Sequence, residues 1–247
     1  MFETIESIYT PKPDSPETER KAFLRNDIVK MRRKIEGTSE KEIRAESENE
    51  ASEYKRADHF IETLIATDPK LVKKLFRKLL WEKNYGNKAR ATAAKSLAAL
   101  AIEDPKLAEE LYNEVLGKEG RRGPLTGERD FYVKMNAAGS LGELSLVDEK
   151  VFLRVYKIAA SHDLGFVRED AQKSLPFFAS INPEEARKLY EQGLESKDPN
   201  LYKGTMESLV GLSRIDPELA SKLRKEHEIE EPNPEENKIE EGKEKEV

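Results

Sequence analysis

An Asp-Pro step, or a close variant of it, recurs along this chain and divides it into units of nearly constant length. It stands at Asp68-Pro69, Asp104-Pro105, Asp148-Glu149, Asn182-Pro183 and Asp216-Pro217, at successive intervals of 36, 44, 34 and 34 residues. Self-similarity on that scale restricts a chain to stacked supersecondary units, each burying its apolar face against its neighbours. The step also has a local meaning. An Asp or Asn side chain accepts from the free amides of a first helical turn, and Pro suits the first helical position because an N–H there has no intrahelical partner. Each step therefore predicts a helix start.

The flanks confirm the frame. They read "RATAAKSLAALAIEDPKLAEELYNEVL" from 90, "KMNAAGSLGELSLVDEKVFLRVYKIAA" from 134, "REDAQKSLPFFASINPEEARKLYEQGL" from 168 and "YKGTMESLVGLSRIDPELASKLRKEHE" from 202. "YKRADHFIETLIATDPKLVKKLFRKLL" from 54 follows more weakly. Eleven residues before the anchor stand Ala57, Ala93, Ala137, Ala171 and Thr205, and seven before it Ile61, Leu97, Leu141, Leu175 and Leu209. Four before it come Leu64, Leu100, Leu144, Phe178 and Leu212. After the anchor, Leu75, Leu111, Val155, Leu189 and Leu223 precede a column of Phe76, Tyr112, Tyr156, Tyr190 and Arg224. These spacings are helical on both sides, so each unit reads as helix, tight turn, helix. The small column permits close backbone approach. The aromatic column reads as inter-repeat core, with tyrosine hydroxyls reaching the rim.

This pattern resembles HEAT-like (armadillo/HEAT-type) repeats over residues 54–227, most clearly in "HDLGFVREDAQKSLPFFA" (162–179), "RDFYVKMNAAGSLGELS" (129–145) and "KARATAAKSLAALA" (88–101). The resemblance implies an all-α, right-handed α-solenoid of about five stacked antiparallel helix pairs. First helices are then expected near 69–82, 105–117, 149–161, 183–195 and 217–227, and second helices near 87–103, 131–147, 165–181 and 199–215. The second helices would line a concave binding face. Three departures stand out. Pro176 should kink its helix, no turn acid precedes Arg90, and Arg224 replaces the aromatic, which suits a polar capping helix.

Outside the repeats, residues 1–14 read as a flexible terminus and 15–53 as an irregular helical cap. Ser15-Pro16 would start one helix ending at Gly37. The capping box Ser39–Glu42 would start another, reaching about Thr67. Residues 228–247 hold nine acids and three lysines, which account for the whole net charge of −6 and leave 1–227 neutral. That tail has too few apolar residues to offset its ordering entropy and is expected to be disordered. Cysteine is absent, so disulfides and thiolate metal sites are excluded. Lys and Glu are abundant while glutamine occurs twice, a thermophile-like bias. No run of about 18 apolar residues exists, so no membrane span is expected, and a cytoplasmic location is the reading adopted.

No catalytic constellation emerges. The histidines His59, His162 and His227 lie in different units without metal-ligand spacing, and read as surface or turn residues. Some HEAT-like proteins are di-iron hydroxylases using paired His-Glu dipeptides, but here only His227-Glu228 occurs. HEAT-like DNA glycosylases use an aromatic and acidic constellation, yet Trp81 is the sole tryptophan. The chain is thus read as non-enzymatic and without cofactors.

Candidate contact residues fall in three groups. A basic column, Arg90, Lys134, Arg168 and Lys203, marks the start of the second helices. Asp163 with Arg168 and Asp198 with Lys203, five residues apart, suggest a structural ladder; an anion-binding stripe is the alternative. Outward positions of the second helices give Asn136, Gly139, Glu143, Asp170, Lys173, Phe177, Gly204, Glu207 and Gly211. Phe177 either packs at the Pro176 kink or anchors a partner. The third group is the insertion "GKEGRRGPLTGERD" at 117–130, which accounts for the one long interval and carries Lys118, Arg121, Arg122 and Arg129. Gly117 reads as a helix stop, and Thr126 or Asp130 as the next start. The function expected is a monomeric scaffold that binds another protein, such as an acidic segment, on the concave face. A nucleic-acid-associated role through the basic column and the insertion is the alternative, disfavoured by the neutral body.

Overall fold

The computed structural model describes residues 28, 31, 34–35, 69–81, 87–117 and 128–230, and all regular structure among them is helical. The first helices are α1 (Pro69–Trp81), α4 (Pro105–Leu116), α7 (Glu149–Ala160), α10 (Pro183–Leu194) and α12 (Pro217–Glu226). The intervening segments form α2 (Asn87–Lys95), α3 (Leu97–Glu103), α5 (Glu128–Gly139), α6 (Leu141–Val147), α8 (Gly165–Lys173), α9 (Leu175–Ala179) and α11 (Pro199–Ile215).

The anchors act as caps. Asp104 accepts from the Leu107 amide at 3.0 Å, Asp148 from Val151 at 3.0 Å, Asn182 from Glu185 at 3.1 Å and Asp216 from Leu219 at 2.9 Å. Such a cap contributes about 1 kcal/mol of helix stability. This repeated local device explains why the first helices begin where the sequence places them.

The second helices differ from the expectation of single rods. Three are broken, at Ser96, Ser140 and Ser174, whereas α11 runs through Ser208 without interruption. All four serines occupy one column, eight residues before the anchor. Each hydroxyl donates back to a carbonyl three or four residues earlier: Thr92 at 2.9 Å, Ala137 at 2.8 Å, Ala171 at 2.6 Å and Thr205 at 2.7 Å. Such back-bonding competes with the helical ladder and bends helices. The kink expected at Pro176 is present, but two repeats bend without a proline. The serine favours the bend without enforcing it, because Ser208 makes the same bond inside an unbroken helix.

Each second helix packs on the first helix that follows it: α3 on α4, α6 on α7, α9 on α10 and α11 on α12. Second helices also stack on one another, α2 on α5, α5 on α8 and α8 on α11. The alanine column lies at these contacts, with Ala93, Ala137, Ala171 and Thr205 buried. A Cβ on Gly204 would fall 2.5 Å from the Glu169 carbonyl oxygen, so α8 and α11 meet backbone to backbone there. Leu97, Leu141, Leu175 and Leu209 fill the layer beneath, each worth about 1.5–3 kcal/mol on full burial.

The aromatic column corrects the sequence reading. The Tyr112 and Tyr190 hydroxyls do not reach the rim; both residues are fully buried. Tyr112 pairs with the Ser140 hydroxyl at 2.7 Å, Tyr156 with Gln172, and Tyr190 donates to the Ser208 carbonyl at 3.4 Å. In each case the partner belongs to the next second helix. Burial pushes all three phenols well above their ordinary range. Arg224 takes the same inward place rather than facing solvent, and donates to the Leu209 carbonyl at 3.3 Å.

Gly117 caps α4, and the chain resumes at Glu128, between the two starts expected. Lys118, Arg121 and Arg122 lie outside the described residues, as does the side chain of Arg129. The same holds for His59, the capping box at 39–42 and the tail beyond 230. Of the expected N-terminal cap, residues 28, 31, 34 and 35 are described, and all four are helical.

Candidate interaction surface on the second helices

The four bases of the column are all engaged within the fold, each with different partners. Arg90 is buried and donates from Nε and Nη2 to the Leu80 carbonyl, at 3.1 and 3.0 Å. It thereby satisfies a carbonyl at the end of α1, a position with no intrahelical donor. Lys134 is buried with its Nζ 3.4 Å from His162 Nε2, while His162 Nδ1 accepts from the Leu164 amide at 2.9 Å. His162 is therefore an interior turn residue and not a surface one.

Arg168 donates to the carbonyls of His162 and Asp163 at 2.5 and 3.0 Å, and pairs with the Asp198 carboxylate at 3.0 Å. The carboxylate expected for Lys203 thus serves Arg168, one repeat earlier. Asp198 also caps α11 by accepting from Asn200 and Leu201. Burial pushes its carboxyl up, but those amides and Arg168 hold it below the usual range.

Lys203 turns instead to Glu169, with both carboxylate oxygens at 3.1 Å, and to Glu207 at 3.5 Å. Lys173 reaches Glu169 at 2.7 Å, Glu207 at 2.8 Å and Asp170 at 3.9 Å. Two cations and three carboxylates thus straddle α8 and α11. Burial pushes Glu169 up, yet Lys173 and Lys203 hold it below the ordinary carboxylate range. Asp170 goes the other way. Burial, with Glu169 and Glu207 nearby, pushes its carboxyl up to about 6, against the pull of Lys173 and Lys203.

The expected outward positions divide. Gly139, Lys173 and Glu207 are exposed. Phe177 is half-buried, its ring lying over the position where Gly142 lacks a Cβ. Gly204 and Gly211 are buried. Gly211 is covered by Pro176 of the preceding second helix and by a residue from outside the repeats: a Cβ there would meet Ile35 Cγ2 at 2.9 Å and Pro176 Cγ at 3.0 Å. One turn on, Arg214 Nη1 donates to the Ile35 carbonyl at 2.5 Å. Residue 35 thus sits against the last second helix, 176 positions away in sequence, and not at the N-terminal end of the array.

An exposed aromatic edge escaped the sequence reading. Phe131 and Tyr132 meet edge to face with centroids 5.6 Å apart, and Phe131 lies 4.2 Å from the Phe166 ring. Leu164 and Tyr202 are exposed along the same ends of α8 and α11. The available signal was an aromatic or leucine near the start of three successive second helices.

Among the described residues, no group of three or more His, Cys, Asp or Glu side chains could hold a metal ion. Among them, too, no helix is long and apolar enough to cross a membrane. Compared with family models, curated proteins and solved structures, the chain matches none.

Proposed function

We propose that this chain is a non-catalytic interaction scaffold of the HEAT-like kind. It is a right-handed solenoid of about five helix pairs that binds another protein on the face of its second helices. Regular capping, helix pairing and second-on-second stacking support the architecture. The backbone contact at Gly204 brings the neighbouring second helices α8 and α11 close together.

One observation carries the functional reading: this face already accepts an apolar side chain from outside the repeats, Ile35 at Gly211 and Pro176. Exposed Val210, Lys173, Lys203 and Glu207 surround that seat with an apolar contact and charges of both signs. Such a rim suits a protein partner of mixed charge. A nucleic-acid role loses its main support, because Arg90, Lys134 and Arg168 are engaged within the fold.

The test is site-specific photo-crosslinking in the native host. A crosslinker replacing Val210 should give discrete heavier adducts, whereas one replacing Lys188 on α10 should not. Adducts from the Lys188 position alone, or equal patterns from both, would refute the assignment of the face.

A further inference from the structure

The described N-terminal residues show an amphipathic pattern. Ile28 is buried, Met31 and Ile35 are half-buried, and Lys34 is exposed. Positions 28, 31 and 35 share one helical face at i, i+3 and i+7, and 34 is exposed beside it. Residues 25–36, "RNDIVKMRRKIE", also carry five bases and two acids.

The receiving surface is built from α11. Gly211 and Arg214 are three residues apart, hence neighbours on one face. Gly211 leaves a notch into which Ile35 fits beside Pro176. Arg214 then fixes the visiting helix by its backbone, at the Ile35 carbonyl. Notch and guanidinium together recognise an apolar side chain and the main-chain carbonyl of the same residue. Neither demands this particular sequence.

We propose that the segment carrying Ile28, Met31 and Ile35 is a built-in occupant of the partner site. It holds the Gly211–Arg214 seat until an external amphipathic helix, with apolar residues at the same spacing, displaces it. This rests on the reading of the second-helix face as the binding surface. It adds the chemistry of the partner, an amphipathic helix docked by one apolar side chain and its main-chain carbonyl, and it adds control by competition. A site occupied in cis binds its ligand more weakly by the fraction of time it stands open.

The probe is a fluorescent peptide of residues 22–37, titrated by anisotropy against the full chain. The Ile28→Asp/Ile35→Asp chain, whose own segment is released, should bind the peptide at least about tenfold more tightly than wild type. Adding Gly211→Leu, which fills the notch, should abolish that gain. Equal affinity for wild type and released chain overturns the proposal, as does indifference to Gly211→Leu. A second measurement needs no substitution. Saturating unlabelled peptide should speed hydrogen exchange of residues 28–35 in the wild-type chain while α11 stays protected; unchanged exchange there overturns the proposal. Crosslinks from position 210 to a host protein alongside either negative result would leave the face assigned and remove only the internal occupant.

Discussion

Replacing Asp170 by Asn should make the protein more stable at neutral pH, although it deletes a member of a charge network. The side chain is about one-fifth exposed, lies between Glu169 and Glu207, and has Lys173 at 3.9 Å. Its carboxyl is pushed from an ordinary 3.8 up to about 6, first by burial. At 1.36 kcal/mol per pH unit, that corresponds to about 3 kcal/mol. The sign follows from proton linkage. Between pH 3.8 and about 6 the native state holds a proton that the unfolded chain has released, so stability falls as pH rises through that window. Above it the full cost of the buried charge is present; below it both states are protonated and the cost vanishes. The pull of Lys173 and Lys203 is already contained in that shift, so the expected gain is about 3 kcal/mol near pH 7.5. Urea unfolding followed by far-UV circular dichroism, at pH values from about 4 to 7.5, measures it. The gain should shrink to within about 0.5 kcal/mol near pH 4. No gain at neutral pH, or one independent of pH, would refute the reasoning.

Two glycines should respond in opposite directions. Gly139→Ala meets nothing within 4 Å and should stabilise by about 0.5–1 kcal/mol, whereas Gly204→Ala must separate α8 from α11 and should cost about 1–3 kcal/mol, both read from thermal melts. Tyr112→Phe removes a 2.7 Å bond and should cost about 1 kcal/mol; Tyr190→Phe, whose bond is 3.4 Å, should cost less, and the order of the two melting temperatures checks this. Asn182→Ala loses both the α10 cap and the 2.6 Å bond from Asn182 Nδ2 to Glu149, so chemical denaturation should show a larger loss than for Asp216→Ala, which loses a cap.

The first helices were legible because their start is a local event: an Asx side chain, a proline and the next three amides suffice. The breaks at Ser96 and Ser140 were not read, although the Ser-Leu pair recurs at 96, 140, 174 and 208. Pro176 is the stronger breaker, and a serine carries no comparable signal by itself. The partners of the basic column were not legible at five-residue spacing. Asp163 stands five residues before Arg168, while the carboxylate that binds it, Asp198, is brought over by stacking of the next repeat. Phe177 and Gly211 were assigned to an open face, but what covers each lies outside its own unit. Phe177 folds over Gly142 of the preceding repeat, and Ile35 reaches Gly211 from the other end of the chain. Periodicity specifies a unit and its nearest neighbour; it carries no information about a segment outside the period.

The tyrosine bonds have a consequence for the length of the chain. Tyr112, Tyr156 and Tyr190 each bond forward to the second helix that follows, so three successive junctions are closed by a phenol. Excising residues 149–182 would set Asp148 directly before Pro183, recreating an Asp-Pro start for α10. It would remove Tyr156 together with its partner Gln172 while keeping both the Tyr112–Ser140 and Tyr190–Ser208 pairs. Such a molecule can be shortened by this whole link without stranding a buried phenol at the splice.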